Sequence, residues 1–498
     1  MMRRIVTRIL DKPAIWKESV GAMLAVALVG GSLLLFWPTD RILKPINSWN
    51  VFHYVLGTKY FDELGYFDFY QGILLADAEA DRVFEDQRTR DMRTYDFVPV
   101  EKALDAARKQ VIRERFTDRR WEEFKRDLRA IQSLRSKERW AGPIKDRGYN
   151  PSPAWLVVHH PLLNAVHIHE PGTLAFLCYF QVLLYLITFA VAWWAFGGRA
   201  TLVGLLFFLF YFGNARLKLG GYFSYDWFCY TVCAVALHRK GHMLLAAPLL
   251  AYAAMMRGFP ALLALYPAVR IGCSLVRLRK PERKHLVFLV AMIATCVLIG
   301  GLSCFTGRGA GAWGEWREKI AIHSENQLDS SNKVGLQNLF IHDYETGGLT
   351  TEASRRKDVA TRYEPFYRVA AAAMLLLTLL AMLRRNETDG MLLGLSAIFA
   401  AMMLSRYYFS VDVLLFTWCG LTRRRWGNHD AGNIVSGVWL LSLLALYQIQ
   451  RFAFGFSMRE AYFFFNLGLT LYFLAILGNF LCRDFAWLRG RLRPKAEA

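Results

Sequence analysis

Carboxylate side chains alternate with aromatic rings between Asn47 and Tyr70, and further carboxylates follow. Asp62, Glu63 and Asp77 stand out in this stretch. Aromatic faces can stack on a pyranose ring, while a carboxylate accepts the proton of a reacting hydroxyl group. The pattern, which also includes Asp68, Glu79 and Asp81, therefore predicts a sugar site with a carboxylate as the proton acceptor. The same residues also suit an aromatic belt at a membrane interface with a solvated acidic face.

A second polar stretch, from 323 to 338, is rich in neutral hydrogen-bond donors around one cation. Its candidate ligand-binding residues are His323, Asn326, Asn332 and Lys333. Amide and hydroxyl donors beside an ammonium group suit the oxygens of a phosphate. A polar loop rich in turns would have the same composition, so both interpretations stay open.

Three other polar residues begin apolar runs. Tyr149 and Asn150 precede two prolines, which fix an extended entry and then start a helix, so both side chains are expected at the membrane rim. Asp226 begins another apolar run, at the end expected to face the outer membrane surface. Charged residues are nearly absent from the middle of the runs, which indicates that any chemistry takes place at the outer membrane surface.

Four histidines follow the two prolines: His159, His160, His167 and His169. They invite a metal interpretation, but no carboxylate joins them at a fixed spacing of four residues. The sequence therefore predicts no metal site, and nothing in it calls for a cofactor.

These residues are embedded in a chain that is 54% hydrophobic and 15% aromatic over 498 residues, which is typical of a membrane protein. A bilayer core needs about 20 apolar residues per helix. We expect an all-α polytopic membrane protein with about twelve transmembrane helices, within a range of about ten to thirteen. Two pairs of runs, around 214–222 and 405–408, suit broken or re-entrant helices. The runs cover 19–37, 173–196, 200–213, 223–237, 243–256, 259–276, 286–305, 367–383, 390–404, 408–421, 433–450 and 461–482.

Lys and Arg concentrate in alternate short connectors, which predicts that both termini are cytoplasmic. In the first outer loop, helical spacing of apolar residues between Val98 and Trp140 predicts one or two amphipathic helices. The predicted divisions are a cytoplasmic N-terminus (1–18), a first transmembrane helix (19–37), a large extracytoplasmic loop (38–171), helices two to seven (172–305), a second extracytoplasmic loop (306–366), helices eight to twelve (367–482) and a basic cytoplasmic tail (483–498).

The net charge of +20 is largely explained by this topology. No basic-aromatic module accompanies it, so we expect no nucleic-acid partner. The cysteines lie in apolar runs or a basic connector, and no retrieval signal is evident, which favours a bacterial inner membrane over an endoplasmic one.

In the order of its motifs, the chain resembles the GT-C superfamily of polytopic membrane glycosyltransferases. It is most similar to the bacterial polyprenyl-phosphate-mannose-dependent mannosyltransferases of the GT87 type. The resemblance rests on Tyr54…Gly57…Gly65…Tyr70, Tyr149-Asn-Pro-Ser-Pro153, Gly220-Gly221…Tyr225-Asp226-Trp227, Arg257-Gly-Phe-Pro260 and Asn326…Ser330-Ser331.

The resemblance implies that a hexose such as mannose is transferred with inversion from a polyprenyl-phosphate donor. Arg257, Lys333 and Asn326 would then stabilise the leaving phosphate. The family's catalytic aspartate usually lies near the start of the first outer loop, where this chain reads Asn47-Ser-Trp-Asn50. The base is then Asp62, Glu63, Asp77, Asp226 or Asp40, or this branch is no longer an active transferase.

Two other functional classes stay open. A secondary transporter or flippase of a lipid or sugar would place ionisable residues in the middle of the membrane and show repeated halves, and neither is evident in the sequence. A non-catalytic scaffold would use its large outer loop to bind a partner. The missing aspartate near Asn47 favours the scaffold.

Overall fold

The computed structural model of the chain describes residues 46–211, 220–326, 332–342, 353–416 and 431–492. The predicted first transmembrane helix (19–37), Asp40 and the end of the basic tail lie outside the described residues. The chain divides into two compact units. Of the described residues, the first unit takes 46–191 and 220–326, and the second unit takes 192–211, 332–342, 353–416 and 431–492.

The first unit opens with short helices and continues into longer ones. Its elements are α1 (Ser48–Asn50), a π-helix (Val51–Leu56), α2 (Gly57–Lys59), α3 (Phe61–Leu64), α4 (Phe69–Ala78), β1 (Arg88–Arg90), β2 (Phe97–Pro99), α5 (Val100–Lys109), a 3-10 helix (Ile112–Arg115), α6 (Asp118–Gln132), two more 3-10 helices (Lys137–Ala141 and Pro143–Lys145), α7 (Pro153–Asn164) and α8 (Thr173–Phe196), whose last residues enter the second unit. Strands β1 and β2 pair antiparallel.

The chain then forms α9 in the second unit and returns to the first unit for five helices. These elements are α9 (Gly198–Phe210), α10 (Asp226–Arg239), α11 (Met243–Arg257), a 3-10 helix (Phe259–Ala264), α12 (Leu265–Leu278), α13 (Arg283–Ser303) and α14 (Gly311–Glu325). Helix α10 is followed closely by α11, and α12 by α13, so each pair is a helical hairpin joined by a few residues.

The amphipathic helices predicted in the first polar segment are present as α5 and α6. Helix α6 begins after Thr117, whose hydroxyl accepts the backbone N–H of Arg120 at 3.3 Å. Trp121, Phe124 and Leu128 recur at helical spacing and are all buried. These helices therefore pack through one face instead of lying free in solvent.

Five helices of the described residues are long and apolar enough to cross a bilayer. They are Thr173–Phe196, Phe259–Leu278, Arg283–Ser303, Arg355–Met382 and Met458–Phe485. The protein is thus a mainly helical membrane protein, as its composition predicts. Ala200–Leu209 and Met243–Arg257 are apolar but shorter. The expected total of about twelve crossings stays a prediction.

The second unit contains the remaining elements. They are β3 (Lys333–Val334), a 3-10 helix (Leu336–Phe340), α15 (Ala353–Met382), α16 (Glu387–Leu392), α17 (Gly394–Ala401), β4 (Leu404–Ser405), a 3-10 helix (Arg406–Phe416), α18 (Ala431–Phe452) and α19 (Met458–Leu492). Helix α15 starts well before the predicted boundary at 367. The run predicted at 390–404 is broken into short helices and ends in extended backbone between Met402 and Ser405, while the described part of the run predicted at 408–421 lies in a single 3-10 helix.

A short antiparallel pairing of β3 with β4 holds this break. Lys333 lies opposite Ser405, and Val334 lies opposite Leu404. From α19, Asn466 accepts the backbone N–H of Gly335 at 2.7 Å and donates to the carbonyl of Lys333 at 3.1 Å. Non-helical backbone inside a membrane protein needs such internal partners, since lipid offers none.

Gly335 is required where this loop meets the backbone of the break. Its φ is +143°, and a Cβ placed there would lie 2.2 Å from the carbonyl oxygen of Met402. Only glycine fits that approach without moving the backbone.

We expect Gly335→Ala to destabilise the protein by at least about 2 kcal/mol, because the added methyl group collides with backbone. Gly478→Ala is the matched control in the same unit, since nothing lies within 4 Å of a Cβ at that helical position. The measurement is the midpoint temperature of heat-induced aggregation of detergent-purified protein. Equal midpoints for the two variants would contradict the packing described for Gly335.

Candidate functional site

The hairpin of α10 and α11 brings a carboxylate and a guanidinium group to one end of the first unit. Helix α10 begins at Asp226 and α11 ends at Arg257, and the two helices run in opposite directions. Residues 31 positions apart in sequence are therefore neighbours in space. Burial raises the pKa of Asp226, and the charge of Arg257 opposes this shift by favouring the ionised carboxylate.

Asp226 is completely buried, yet one of its oxygens has no hydrogen-bond partner among the described residues. Its Oδ1 accepts the backbone N–H of Trp227 at 2.7 Å. Its Oδ2 faces Nε2 of His159 at 3.8 Å, just beyond hydrogen-bond distance. A buried carboxylate normally has all of its acceptor positions occupied. Oδ2 of Asp226 therefore has unoccupied lone pairs that can accept a proton.

His159, on α7, orients this carboxylate. Its Nδ1 lies 2.9 Å from the hydroxyl of Tyr222, and its ring stacks on Trp155 with centroids 3.8 Å apart. Burial lowers the pKa of His159, so the neutral imidazole is favoured. With the Tyr222 hydroxyl donating to Nδ1, the proton of the neutral ring is on Nε2 and points toward Asp226; this tautomer is assigned from the network.

The segment before Asp226 covers the Asp226–His159 pair. Tyr222 donates its backbone N–H to Oδ1 of Asn50 at 2.6 Å, and Phe223 lies against His159 with ring centroids 4.8 Å apart. Phe223 has a φ of +43°, which is strained for a residue with a Cβ. Such backbone strain tends to concentrate at functional sites and moving segments.

Arg257 has an aromatic partner from the π-helix. Its guanidinium donates to the hydroxyl of Tyr54 at 2.7 Å, and Tyr54 meets Trp155 edge to face at 5.4 Å. π-Helical turns are rare and often occur at functional sites, because the wider turn redirects a side chain. Asp226, His159, Arg257, Tyr54 and Trp155 are hereafter called the Asp226 cluster.

Tyr149 is linked to this cluster through Thr58. It is fully buried, and its hydroxyl lies 3.0 Å from Oγ1 of Thr58, which also accepts the indole N–H of Trp155 at 2.9 Å. A Cβ on Gly57 would come within 2.5 Å of the Tyr149 ring, so glycine permits this approach. Tyr149 therefore positions Trp155, and its hydroxyl is already engaged.

The other predicted bases lie elsewhere in the first unit. Asp62 is half exposed and faces Nε2 of His160 at 3.3 Å. Glu63 accepts Nε of Arg120 at 2.9 Å, and its second oxygen is buried without a hydrogen-bond partner. Arg120 reaches Glu63 from α6, so this carboxylate joins the polar segment to the start of the unit.

Asp77 is held by three hydrogen bonds. Its oxygens accept the backbone N–H groups of Val83 and Phe84 at 3.0 and 2.9 Å, and Nε2 of Gln132 at 2.8 Å. This arrangement closes the turn after α4 and ties it to α6. Because three donors already occupy its oxygens, Asp77 stabilises the fold and is poorly suited to accept a proton from a substrate.

The four histidines face four different carboxylates instead of converging on one point. The pairs are His159 with Asp226, His160 with Asp62, His167 with Glu123 and His169 with Asp127. Each imidazole is therefore engaged with its own carboxylate, which is an arrangement for orienting acids and bases.

The candidate phosphate-binding residues of the second polar stretch fall into both units. In the first unit, Nδ1 of His323 lies 3.2 Å from the hydroxyl of Tyr95, and the backbone carbonyl of Asn326 accepts from Arg147 at 3.0 Å. Asn150 accepts the indole N–H of Trp316 through its carbonyl at 3.3 Å, while its Oδ1 is buried without a partner. These contacts dock α14 onto the first polar segment.

Asn332 and Lys333 belong to the second unit. The carbonyl of Asn332 accepts the backbone N–H of Arg406 at 3.1 Å. Lys333 is almost completely buried, and its Nζ donates to the hydroxyl of Ser405 at 3.1 Å. Within that unit their contacts secure the break between α17 and the 3-10 helix after β4.

Sequence reasoning did not single out His159, Trp155 or Tyr222 as a set. The only local signal is that Trp155 and His159 are four residues apart on an apolar helix, and so share one face. Their link to Asp226 depends on a contact across more than sixty residues.

No protein-family model, curated protein or solved structure matches this chain. The resemblance to the glycosyltransferases therefore rests on the motifs of the sequence alone.

A buried lysine fastens α14 to the first polar segment. Nζ of Lys319 donates to the hydroxyl of Tyr95 at 2.8 Å and to the carbonyl of Arg147 at 3.0 Å, and it is shielded from water. Burial, together with the guanidinium groups of Arg90 and Arg147, lowers the pKa of Lys319 from 10.5 to about 7.

This shift predicts a pH dependence of stability. Above pH 7 the unfolded chain, with an ordinary lysine, binds more protons than the folded chain, so stability contributed at this site rises with pH and is lost as pH falls toward 7. Relative to Lys319→Met, the wild type should gain up to about 1.4 kcal/mol per pH unit between about pH 7 and 9. The measurement is the thermal midpoint of each protein across that range.

Lys102→Met is the control, because Lys102 is exposed in the same unit. Its midpoints should follow the wild type at every pH. If the thermal midpoints of Lys319→Met also ran parallel to those of the wild type across the pH range, the pKa of Lys319 would be ordinary and the predicted lowering of that pKa would be wrong.

Proposed function

We propose that this protein is a membrane glycosyltransferase. It moves a hexose, with mannose the first to be tested, from a polyprenyl-phosphate donor to a lipid, glycan or protein acceptor, with inversion at the anomeric carbon. The observation that carries the proposal is the buried oxygen Oδ2 of Asp226, which has no hydrogen-bond partner among the described residues, lies 3.8 Å from Nε2 of His159 and belongs to a carboxylate on which the charge of Arg257 acts.

Asp226 serves as the general base in this reaction. Its Oδ2 takes the proton of the acceptor hydroxyl as that oxygen forms a bond to the anomeric carbon. The bond from the anomeric carbon to the donor phosphate breaks, and the phosphate leaves with the electron pair. His159 keeps Oδ2 oriented, and its neutral ring leaves the negative charge of Asp226 in place.

Arg257 and Tyr54 are the groups of the Asp226 cluster suited to the leaving phosphate. A guanidinium donates several N–H groups to phosphate oxygens, and a tyrosine hydroxyl can add another donor. The Tyr54 ring supplies aromatic surface for a sugar, and Trp155 packs edge to face against that ring. Because Asp226 is buried, the acceptor reaches it when the segment 220–225 moves away from His159.

The location of the enzyme is part of the proposal. Both termini would be cytoplasmic in a bacterial inner membrane, and the two polar segments would lie on the outer face. The donor's lipid tail would lie between membrane helices, and surrounding membrane lipid would be the other partner. No cofactor is required, because the sugar is activated by its phosphate.

A transporter or flippase of a lipid or sugar is the second candidate. One observation favours it: in the second unit the buried cation of Lys333 donates to Ser405 at the break that follows α17, and the backbone carbonyl of Lys333 accepts from Asn466 of a candidate membrane helix. Transporters commonly build substrate sites from such broken segments. This candidate predicts movement of substrate across vesicles without any new glycosidic bond.

The proposal is tested with purified full-length protein and polyprenyl-phosphate-linked hexoses. Asp226→Asn should lower the transfer rate by about 10²- to 10⁴-fold, because the amide cannot accept the hydroxyl proton. The measurement is the formation of radiolabelled product in nanodiscs. Asp81→Asn is the matched control, since Asp81 is mostly exposed on the same unit and should transfer at the wild-type rate.

Asp62→Asn, Glu63→Gln and Asp77→Asn should be assayed beside these variants. If Asp226→Asn is fully active while one of them is not, the base has been misassigned. If the wild type transfers no hexose from any donor, the glycosyltransferase proposal fails, and labelled substrate crossing the membrane would then support the transporter.

A further inference from the structure

The connector between α12 and α13 carries an unusual concentration of positive charge. Helix α12 ends at Leu278 and α13 begins at Arg283, so only residues 279–282 lie between two candidate membrane helices. The cations Arg277, Arg279, Lys280 and Arg283 all fall within seven consecutive residues. Each of these four side chains belongs to an exposed residue.

The acidic residue of this connector does not neutralise them. Glu282 is engaged by Arg270 at 3.1 Å, by Lys284 at 3.1 Å and by His285 at 3.6 Å. No ion pair is found for Arg277, Arg279, Lys280 or Arg283 within the described part of the chain. Four like charges thus lie close together at one membrane face without a protein counter-charge.

Apolar side chains stand directly beside these charges. Leu275, Val276 and Leu278 are 46%, 85% and 72% exposed, while Tyr266 and Ser274 of the same helix are buried. Helix α12 therefore has buried residues as far as Ser274, whereas its last turn, 275–278, is exposed on all sides and places apolar side chains next to Arg277. A basic and apolar surface at a membrane boundary matches a lipid that has a negative headgroup above acyl chains.

We propose that Arg277, Arg279, Lys280 and Arg283 form a docking surface for the headgroups of anionic phospholipids. The cations contact headgroup phosphates, and Leu275, Val276 and Leu278 insert among the adjoining acyl chains. The connector is too short to spread the charges: six Cα steps of about 3.8 Å separate the first cation from the last, which limits the surface to about 23 Å. One or a few headgroups can span it.

This surface is separate from the Asp226 cluster in sequence and in chemistry. Asp226 begins α10 and Arg257 ends α11, whereas the basic connector follows the far end of α12. The docking surface binds lipid whether or not the chain transfers a sugar, and so does not depend on the proposed function.

The test uses native mass spectrometry of full-length protein in an uncharged detergent. Phosphatidylglycerol and phosphatidylcholine are added in equal amounts, and retained lipids are counted. The wild type should retain phosphatidylglycerol preferentially. The quadruple variant Arg277→Gln, Arg279→Gln, Lys280→Gln and Arg283→Gln should lose at least about 10-fold of that preference, because each cation near an anionic surface favours binding and the effect is screened by salt.

The matched control removes the same charge from the exposed polar segment of the same unit, through Lys102→Gln, Lys109→Gln, Arg119→Gln and Arg126→Gln. It should keep the wild-type preference. Monodisperse elution and unchanged helical circular dichroism establish that both variants fold. An unchanged preference in the connector variant, or an equal loss in the control, would overturn the proposal.

A further arm separates lipid from free phosphate. Inorganic phosphate at millimolar concentration should leave bound phosphatidylglycerol in place, since it lacks the acyl chains that meet Leu275, Val276 and Leu278. Displacement of the lipid by inorganic phosphate would show a free-anion site instead. Wild-type protein without any preference for phosphatidylglycerol would also refute the docking surface.

Discussion

The ion pair between Lys59 and Asp127 is completely buried. Several elements of the first unit must therefore stay in place to supply its hydrogen-bond partners. Lys59 also donates to Glu123 at 2.7 Å, while Asp127 accepts from Tyr60 at 2.7 Å and faces His169 at 2.7 Å. Removing one member of a buried pair typically costs about 3–5 kcal/mol, because the remaining charge has no water. This requirement fixes α2, α6 and the chain entering α8 relative to one another.

Asp226 differs from the buried carboxylates that hold the chain in place. Asp77 and Asp127 are buried carboxylates whose oxygens are occupied by donors, and both hold the chain in place. Asp226 is equally buried, but Oδ2 faces an imidazole beyond hydrogen-bond distance. A buried oxygen left without a donor is costly to stability, and such a cost is often associated with function. The proposed chemistry uses that oxygen, while the surrounding rigid aromatic rings restrict its position.

Local periodicity predicted much of the helical structure. The apolar spacing after Val98 produced α5 and α6, and the paired prolines start α7 at Pro153. The break at Met402–Ser405 lies next to the broken helix that the sequence predicts around 405–408. Hydropathy measures how apolar a stretch is, but it does not show what stabilises such a break; here β4 pairs with β3, and β3 is held by Asn466, which is distant in sequence.

The sequence by itself determined the membrane class, most apolar helices and a short set of candidate carboxylates and cations. Those properties follow from composition and local spacing. Only the tertiary structure decided which carboxylate lies near His159 and Arg257. It also decided which carboxylates, like Asp77, accept hydrogen bonds from the backbone. The physical reason is that a carboxylate's role depends on the donors and charges around it. Those groups come from α7, α10 and α11, and their meeting is set by helix packing that no local pattern records.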